Sequence, residues 1–310
     1  MTTDSTVAQG GMDKADFQIS LVVSTCNRSQ DLVRLIAALE NQTRNQHGDW
    51  ELIVVDNRST DDTAQVVSNY GAQARFPIKY AFESRQGKSY GLNTGISLAR
   101  GKIIAFTDDD GMPAPEWLER IGQHFEAHPE IACVGGRVEL CDPADALVTV
   151  RLSKQARVVD TTTFDVSNIP VIGCNMAIDA QVLSRVGLFD TDLGPGSRIG
   201  VAEDLDILYR LVRAGHRIGY DSRLLVLHNH GRRTKLDVDH VSKGYLSGRG
   251  AFYCKYLLQA DRIVARWMYW EMSALFLQWL KAGMFSIRAK NSMRVVGLLL
   301  LGAVRYLRHR

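Results

Sequence analysis

Residues 100–110 read RGKIIAFTDDD, a short apolar run that ends in three consecutive aspartates. A continuous apolar run of this kind is typical of a strand buried in a parallel sheet. Like charges within a few ångströms raise each other's pKa, so the three carboxylates are costly to place together. We therefore predict a buried strand whose carboxyl end opens onto a site that neutralises Asp108, Asp109 and Asp110.

Short β-branched runs alternate with helical periodicities before this strand. Strands are predicted at Ile19–Ser24, Glu51–Val55 and Ile78–Phe82, and the fourth covers Ile103–Thr107. After the first strand, residues 31–39 place leucine and isoleucine side chains on one face of a helix. This alternation favours a parallel sheet with crossover helices, an α/β architecture, in the first half of the chain.

The second half shows less regular patterning. A strand is predicted at Ile131–Leu140, an apolar run covers residues 173–176, and a helix extends from residue 202 to Gly215. A further strand, Leu224–Leu227, ends just before a pair of histidines. Residues 231–310 are predicted to be helical.

Composition indicates a folded, soluble chain with two electrostatically different parts. The chain has 310 residues, of which 45% are hydrophobic, and this composition argues against disorder, collagen and coiled coil. Residues 230–310 contain 15 Lys and Arg against four Asp and Glu, a net charge of +11, so the preceding 229 residues carry −8. An acidic body with a basic tail suggests two different roles. Nucleic-acid binding is not favoured, because no recognition module accompanies the basic charge.

Cysteine usage and the N-terminal residues favour a cytoplasmic location. The five cysteines are scattered and contain no C-x-x-C pair, which argues against a disulfide framework and a zinc site. A reducing compartment is therefore expected. Residues 1–16 are polar and lack the apolar core of a signal peptide, so we expect a disordered lead there. The most apolar run, Val295–Val304, has ten residues, about half of the ~20 that a membrane-spanning helix needs.

Polar residues follow three of the predicted strands, at residues 25–28, 56–57 and 108–110. Ligands of open α/β sheets bind outside the carboxyl ends of the strands, so these residues should meet at one edge. The chain has no G-x-G-x-x-G after its first strand and no Walker-type loop, and residues 86–89 are only a partial match. Dinucleotide binding of the Rossmann kind and P-loop phosphate binding are therefore disfavoured.

Asp108 and Asp110 are candidate ligands for a divalent cation. Alternate residues of an extended stretch face the same way, so these two carboxylates converge while Asp109 points elsewhere. Mg²⁺ is held by one or two carboxylates together with substrate phosphates. The alternative is an acidic turn, or the N-cap of a helix that begins near Pro115.

Two other polar pairs are ambiguous by themselves. Glu203 and Asp204 at a helix start either carry chemistry or simply complement the helix dipole. His228 and His230 face one side of an extended segment, where they are either metal ligands or ordinary surface residues. The order of all the motifs along the chain is more specific than any one of them.

Five motifs follow one another along the chain: VVSTCNR (22–28), IVVDNRSTD (53–61), RGKIIAFTDDD (100–110), GCNMA (173–177) and ED (203–204). This order resembles the family 2 glycosyltransferases with the GT-A fold. The resemblance implies the nucleotide-diphospho-sugar transferase architecture, a Rossmann-like mixed sheet flanked by helices, in residues 17–230. It leaves the lead at residues 1–16 and a basic, aromatic-rich helical extension at residues 231–310.

The resemblance implies a binding site for a nucleoside-diphosphate sugar. Its residues come from the ends of the first two strands, from the segment 87–93 that closes over the nucleotide, and from the aspartate triplet. They are Thr25, Asn27, Arg28, Asp56, Lys88, Asn93, Asp108 and Asp109. UDP is the expected nucleotide because it is the commonest in the family, with dTDP and GDP left open.

The resemblance also implies a metal, Mn²⁺ or Mg²⁺, at the diphosphate. The Asp-x-Asp element corresponds to Asp108 and Asp110, with Asp110 the expected direct ligand. A later histidine completes the metal site in many GT-A enzymes, and either His228 or His230 fits that role.

Glu203 and Asp204 correspond to the acceptor-side motif of the family. Asp204 is the expected general base and Glu203 positions the acceptor, and Asn175 and Met176 are also implied on the acceptor side. Family 2 enzymes are expected to invert the anomeric carbon, because the acceptor hydroxyl attacks opposite the leaving diphosphate as the base takes its proton. The acceptor is a glycan, a lipid-linked molecule or a small molecule, and no enzyme nucleophile is required.

The chain departs from the processive members of this family. Their Q-x-x-R-W element is present only as Arg266-Trp267, with Ile263 in place of the glutamine. Transfer of a single sugar is therefore favoured over polymer synthesis.

The basic tail has two interpretations. Residues 262–310 mix aromatic residues with arginine and lysine, as in amphipathic helices at an anionic membrane surface. The cytoplasmic protein would then lie at the inner face of the membrane. The alternative is a helical subdomain packed on the catalytic domain or across a homodimer.

Two other functions stay open from sequence alone. A sugar-nucleotide pyrophosphorylase has a related α/β architecture, but residues 24–28 do not match its G-x-G-T-R-like loop. A non-catalytic nucleotide-sugar binder would not need acidic motifs on both the donor and the acceptor side.

Overall fold

The computed structural model describes residues 17–43, 49–282 and 286–309. The lead predicted at residues 1–16 lies outside the described residues. The strands are β1 (Phe17–Thr25), β2 (Trp50–Asp56), β3 (Ile78–Phe82), β4 (Gly101–Phe106), β5 (Gly111–Pro113), β6 (Ile131–Leu140), β7 (Arg157–Val159), β8 (Met176–Asp179) and β9 (Arg217–His228). The helices are α1 (Ser29–Glu40), α2 (Thr63–Gly71), α3 (Lys88–Leu98), α4 (Trp117–Ala127), α5 (Ala180–Val186), α6 (Glu203–Arg213), α7 (Lys235–Leu257), α8 (Arg262–Ala282) and α9 (Ile287–His309).

The strands form one mixed sheet in the order β3-β2-β1-β4-β8-β6-β9-β5, and β7 pairs with β9. β3, β2, β1 and β4 are parallel, as the sequence predicts for the first half. β8 runs antiparallel between β4 and β6, and β5 and β7 are antiparallel to β9, so the sheet is mixed. β6 and β9 are parallel to each other.

Helices cover both faces of the sheet because strand residues alternate between two apolar layers. Ile19, Leu21 and Val23 of β1 pack with α1 in one layer. Val22 belongs to the other layer, together with side chains of α6 and α7. The apolar positions predicted for α1 are all fully buried: Leu32, Leu35, Ile36 and Leu39.

β9 is longer than the sequence predicts, since it starts at Arg217 rather than at Leu224. A register shift against β6 falls directly after Asp221. At this irregularity Asp221 forms a salt bridge with Arg223, with an N–O distance of 2.7 Å. The predicted start was wrong because these polar residues interrupt the apolar pattern of the strand.

α7, α8 and α9 pack against the α/β part of the chain. The ring of Trp267 in α8 lies 5.3 Å from the ring of Tyr209 in α6. Lys255 of α7 has its Nζ 2.6 Å from carboxylate oxygens of both Asp190 and Asp206. The predicted helical extension is therefore present and shares a core with α6. In the part of the chain that the structure describes, no helix combines the length and the apolar character needed to cross a membrane.

α7 and α9 cross so closely that glycines form their contact. A Cβ added at Gly250 would lie 1.9 Å from the carbonyl oxygen of Leu299. A Cβ at Gly302 would lie 1.8 Å from the carbonyl oxygen of Ser247. Both distances are far below van der Waals contact, so a larger residue at either position would push the helices apart.

We predict that Gly302→Ala lowers the free energy of unfolding by about 1–3 kcal/mol, the usual cost of overpacking. Gly297 of the same helix is the matched control, because a Cβ there meets nothing within 4 Å. Gly297→Ala should raise stability by about 0.5–1 kcal/mol, since alanine has the better helix propensity. Urea unfolding of both variants measures the difference, and equal midpoints would show that α7 and α9 are not in backbone contact.

Candidate active site

The polar residues that follow β1, β2 and β4 meet at one edge of the sheet, as predicted. β1 is the parallel neighbour of both β2 and β4, so their carboxyl ends lie side by side. There most of them line a cleft of about 280 Å³: Thr25, Cys26, Arg28, Asn57, Asp108, Asp109 and Asp110. The other walls of the cleft come from residues 172–174, the N-terminus of α6 and the end of β9.

Side chains from other elements neutralise the aspartate triplet after β4. Thr25 Oγ1 donates a hydrogen bond to Asp109 Oδ2 at 2.7 Å. Arg28 Nη1 lies 2.5 Å from Asp110 Oδ2 and 3.3 Å from Asp109 Oδ1. Lys88, at the start of α3, forms an ion pair with Asp108. Each carboxylate of the triplet therefore has a donor or a cation against it, as adjacent negative charges require.

Asp108, Asp110 and His228 form a three-ligand group. One ligand atom from each side chain lies within 4.8 Å of the other two. His228 Nε2 is 3.1 Å from Asp110 Oδ1, and His228 Nδ1 is 3.3 Å from Thr149 Oγ1. Carboxylate oxygens with one imidazole nitrogen suit a divalent cation such as Mn²⁺. These residues therefore fit the ion that the motif resemblance implies.

Charge compensation sets the protonation of this group. Burial would raise the pKa of Asp110, but the hydrogen bond and charge of His228, together with Arg28, hold it well below its usual range. The same contact raises the pKa of His228 above its usual value, against the effect of burial. Burial and the charge of Asp110 raise the pKa of Asp109 to about 7, although Arg28 opposes the rise. Asp110 is thus ionised at neutral pH and available as a ligand.

A second pair of carboxyl groups faces the cleft from the N-terminus of α6. Glu203 and Asp204 are both buried. Asp204 Oδ1 accepts a hydrogen bond from the backbone N–H of Leu205 at 2.7 Å. Glu203 Oε2 is buried without a hydrogen-bond partner among the described residues. A negative charge is therefore better supported on Asp204 than on Glu203.

Burial raises the pKa of both carboxyl groups. For Glu203, burial and the charge of Asp204 raise the pKa to about 8, and Lys88 only partly opposes this. For Asp204, burial raises the pKa, while the Leu205 N–H and Lys88 oppose the rise. Glu203 therefore holds its proton more tightly than Asp204 does. Asp204 is then the member of the pair that loses its proton first, and so the one suited to accept a proton.

Three predicted site residues are bonded inside the protein and do not line the cleft. Asn93 exchanges two hydrogen bonds of 2.9 Å with the backbone of Phe189. The side-chain amide of Asn175 accepts from Trp117 Nε1 and donates to two backbone carbonyls. Met176 is buried in β8. In the structure, the side chains of Asn93 and Asn175 join loops and strands through these hydrogen bonds.

Three further predicted residues lie within two positions of cleft residues in the chain but do not line the cleft. Asn27 has a positive φ of 55° and its Oδ1 accepts from the Thr60 N–H at 2.7 Å. Asp56 Oδ2 accepts from the Tyr80 hydroxyl at 2.9 Å. His230 Nδ1 accepts from a backbone N–H two residues further on, at 3.0 Å. The three-ligand group contains the other histidine of the pair.

Four residues that line the cleft were not among the predicted site residues: Asn57, Thr149, Arg232 and Tyr245. Asn57 Oδ1 accepts from the Gly87 N–H at 2.8 Å and so holds the loop before α3. Arg232 has a buried Nη1 without a hydrogen-bond partner among the described residues. Arg232 was not predicted because it belongs to the basic C-terminal part of the chain, whose positive charge was interpreted as a surface feature.

We predict that Glu203→Gln becomes progressively more stable than the wild type as the pH rises from about 4.5 to about 8. The folded-state pKa of Glu203 lies above its ordinary value of 4.5. Folding therefore binds the proton more tightly, and the wild type loses stability through this window, whereas glutamine has no proton to lose. The charged groups that face Glu203 are Asp204, Lys88 and Asp108. Melting temperatures of both proteins in EDTA test this, and a difference that does not change with pH would contradict the assignment.

Comparison with known proteins identifies a family. Residues 20–186 match the sequence model described as Glycosyl transferase family 2. The pre-mycofactocin glycosyltransferase of Mycobacterium tuberculosis is 27% identical over 247 residues, which cover 75% of this chain and 47% of that protein. Matches to this and similar relatives span about half of the relatives' own length, from 39% to 59%.

Two solved structures share the architecture. S. aureus TarS 1–349 in complex with UDP-GlcNAc has a TM-score of 0.59 at 15% identity, over 92% of this chain and 81% of its own. The mannosyltransferase PcManGT from Pyrobaculum calidifontis, in complex with GDP-Man and Mn²⁺, has a TM-score of 0.58 at 15% identity, over 94% and 87%. The mixed sheet, its flanking helices and the C-terminal helices confirm the predicted GT-A fold. The chain belongs to glycosyl transferase family 2.

Proposed function

We propose that this chain is an inverting glycosyltransferase that moves one sugar from a nucleoside-diphosphate sugar to an acceptor hydroxyl. The observation that carries the proposal is the presence of two acidic centres in one cleft. Asp108, Asp110 and His228 converge within 4.8 Å, and Asp204 lines the same cleft from α6. A centre that holds the leaving diphosphate and a general base are the two parts that such a transfer needs.

Thr25, Arg28 and Asp109 are proposed to hold the nucleoside. Thr25 and Arg28 orient the Asp109 carboxylate, with donor–acceptor distances of 2.7 and 3.3 Å, which supports a contact of this carboxylate with the ribose. Lys88 and Arg232 are cations that line the same cleft. Both suit the negative charge of a diphosphate, because charged donors form the stronger hydrogen bonds to phosphate oxygens.

Asp108, Asp110 and His228 are proposed to hold a divalent cation, Mn²⁺ or Mg²⁺. When bound, such an ion would neutralise the charge that develops on the leaving diphosphate. The chain contributes by keeping Asp110 ionised through its contacts with His228 and Arg28. The Mn²⁺ in the PcManGT complex supports this choice of ion.

Asp204 is proposed as the general base and Glu203 as the residue that positions the acceptor. The protonated carboxyl of Glu203 can donate a hydrogen bond to the acceptor, while the ionised Asp204 takes the proton of the attacking hydroxyl. Attack on the face opposite the diphosphate inverts the anomeric carbon without a covalent intermediate on the enzyme. Burial raises the pKa of the nearby Cys174 thiol well above its usual value, which also argues against a thiolate nucleophile.

UDP is the proposed nucleotide and GDP the second candidate. TarS was solved with UDP and with UDP-GlcNAc, and PcManGT with GDP-Man. Transfer of a single sugar is proposed because the glutamine of the processive Q-x-x-R-W element is absent. A pyrophosphorylase-like enzyme would release pyrophosphate, and a non-catalytic binder would release nothing, so product analysis separates these alternatives from the proposal.

Metal-dependent nucleotide binding tests the donor site. In Mn²⁺ we expect UDP to raise the melting temperature of the wild type, and EDTA to abolish the rise, because a ligand of the folded state stabilises it. Asp110→Asn should weaken this binding about a hundredfold or more. Loss of a residue that only hydrogen-bonds to a metal ligand already lowers metal affinity about 10–100-fold, and Asp110 is proposed as a direct ligand. Asp62→Asn, which changes an exposed aspartate before α2, is the control and should behave as the wild type.

A wild type whose melting temperature is raised by none of UDP, dTDP and GDP would refute the donor site. Equal UDP binding by the wild type and Asp110→Asn would also refute it.

We further propose that the C-terminal helices hold the protein at an anionic membrane surface. α8 exposes a set of large apolar side chains that share one helical face: Tyr269, Trp270, Phe276, Leu277 and Leu280. Exposed arginine and lysine side chains occur on α8 and α9. Aromatic and apolar residues combined with basic ones are typical of interfacial helices. A second copy of the chain is the alternative occupant of this face.

Phe276→Ser should lower the affinity for phosphatidylserine vesicles by about tenfold, because burial of a phenylalanine contributes about 1.5–3 kcal/mol. Phe82→Ser is the matched control, since Phe82 on β3 is also 58% exposed. Co-sedimentation of the full-length proteins measures both. Equal affinities of the two variants would exclude α8 as the membrane contact, and sedimentation velocity would then test the homodimer.

A further inference from the structure

A groove leads away from the cleft beside Asp204. It has a volume of about 440 Å³ and shares four lining residues with the cleft, Asp204 and Tyr245 among them. A recess of about 660 Å³ beside α8 in turn shares residues 166 and 167 with the groove. The cleft, the groove and the recess therefore adjoin one another from the three-ligand group to α8.

The walls of the groove are largely apolar. Its aliphatic lining includes Val148, Val150, Ile169, Leu205, Val241 and Leu246. The charged residues of the groove are Asp204 at the cleft end and two arginines, Arg151 and Arg249. A molecule that fills this groove needs an apolar surface and a polar or charged group that can interact with these charged residues.

The two arginines differ in their partners. Arg249 Nη2 lies 3.1 Å from Glu271 Oε1. Arg151 has a buried Nε without a hydrogen-bond partner, and no carboxylate among the described residues lies within salt-bridge distance of it. Burial lowers the pKa of Arg151, and Asp204 is the strongest charge that opposes this shift. Arg151 is therefore a cation without a hydrogen-bonded ion-pair partner among the described residues, near the proposed base.

An unpaired cation in an apolar groove lowers the stability of the folded protein unless a bound group compensates it. Guanidinium presents parallel N–H donors that match a carboxylate or a phosphate, so the compensating group is an anion. No carboxylate of the described residues lies within salt-bridge distance of Arg151, and Asp204 acts on it only from farther away. A bound molecule with an acidic group would supply it.

The recess beside α8 suits an apolar chain. Trp267, Trp270, Leu275 and Leu277 line it. Trp270 is 64% exposed, so the recess opens onto the apolar face of α8. Glu271 in its wall is already paired with Arg249 of the groove. A chain that leaves the groove here reaches the face proposed to meet the membrane.

We propose that the acceptor is an acidic amphiphile. Its hydroxyl lies at Asp204, its phosphate, diphosphate or carboxylate group pairs with Arg151, and its apolar chain follows the groove towards α8. This substrate class rests on the proposed glycosyl transfer, which gives Asp204 its role. In the transfer the hydroxyl proton passes to Asp204 and the hydroxyl oxygen bonds to the anomeric carbon. The bond from that carbon to the diphosphate breaks, and its electron pair leaves on the phosphate oxygen.

Calorimetric titration with dodecyl phosphate below its micelle concentration tests the groove. We expect the wild type to bind it at least about tenfold more tightly than inorganic phosphate or dodecyl maltoside, since only dodecyl phosphate offers both groups. Arg151→Gln should lose about tenfold in affinity, and Arg151→Lys should regain part of it. Arg185→Gln, at an exposed arginine of α5, removes the same charge and should bind as the wild type.

Arg151→Gln should melt no lower than the wild type, because the side chain it replaces has no described partner. Unchanged affinity of Arg151→Gln for dodecyl phosphate would overturn the proposal. Equal binding of inorganic phosphate would identify a free-anion site instead, and equal binding of dodecyl maltoside would identify a site for alkyl chains alone. UDP and Mn²⁺ binding, measured on the same samples, reports separately on the proposed function and should be the same for Arg151→Gln and the wild type.

Discussion

Compensation of the negative charge on three adjacent aspartates is the constraint on which the cleft at the sheet edge depends. Asp108, Asp109 and Asp110 follow a buried strand, where carboxylates without partners would lose much of their hydration. Their partners are Arg28 after β1, Lys88 at the start of α3 and His228 at the end of β9. The sheet order makes this convergence possible, because β4 lies beside β1 and β5 pairs with β9.

The surroundings shift the pKa values of Asp110 and Glu203, one in each acidic centre of the cleft, in opposite directions. At the triplet, positive charge lowers the pKa of Asp110 and favours an ionised ligand. At the start of α6, burial raises the pKa of Glu203 and leaves it protonated beside Asp204. This difference supports a division of roles, with charge held at the donor side and one proton acceptor at the acceptor side. Lys88 acts on both centres, since it contacts Asp108 and its charge reaches Glu203.

The features that follow from sequence are those set by neighbours along the chain. The buried face of α1 and the polar residues at the strand ends were predictable, because periodicity and strand direction determine them. The hydrogen bonds between Asn93 and the backbone of Phe189 were not predictable, because Phe189 is distant in the chain and no local pattern indicates them. Which of the two histidines joins the three-ligand group could not be decided without the fold. The pairing of β5 with β9 sets His228 opposite Gly111, next to Asp110. His230 Nδ1 instead lies 3.5 Å from Asp145 Oδ2.

The central claim is that the aspartates and His228 hold a metal ion together with a nucleoside diphosphate. Its most direct test is the electron paramagnetic resonance signal of free Mn²⁺, titrated with the protein in the presence and absence of UDP. We predict that UDP strengthens Mn²⁺ binding, that His228→Ala loses this gain, and that His230→Ala keeps it. Mn²⁺ binding that is independent of UDP, or that His228→Ala leaves unchanged, would contradict the account.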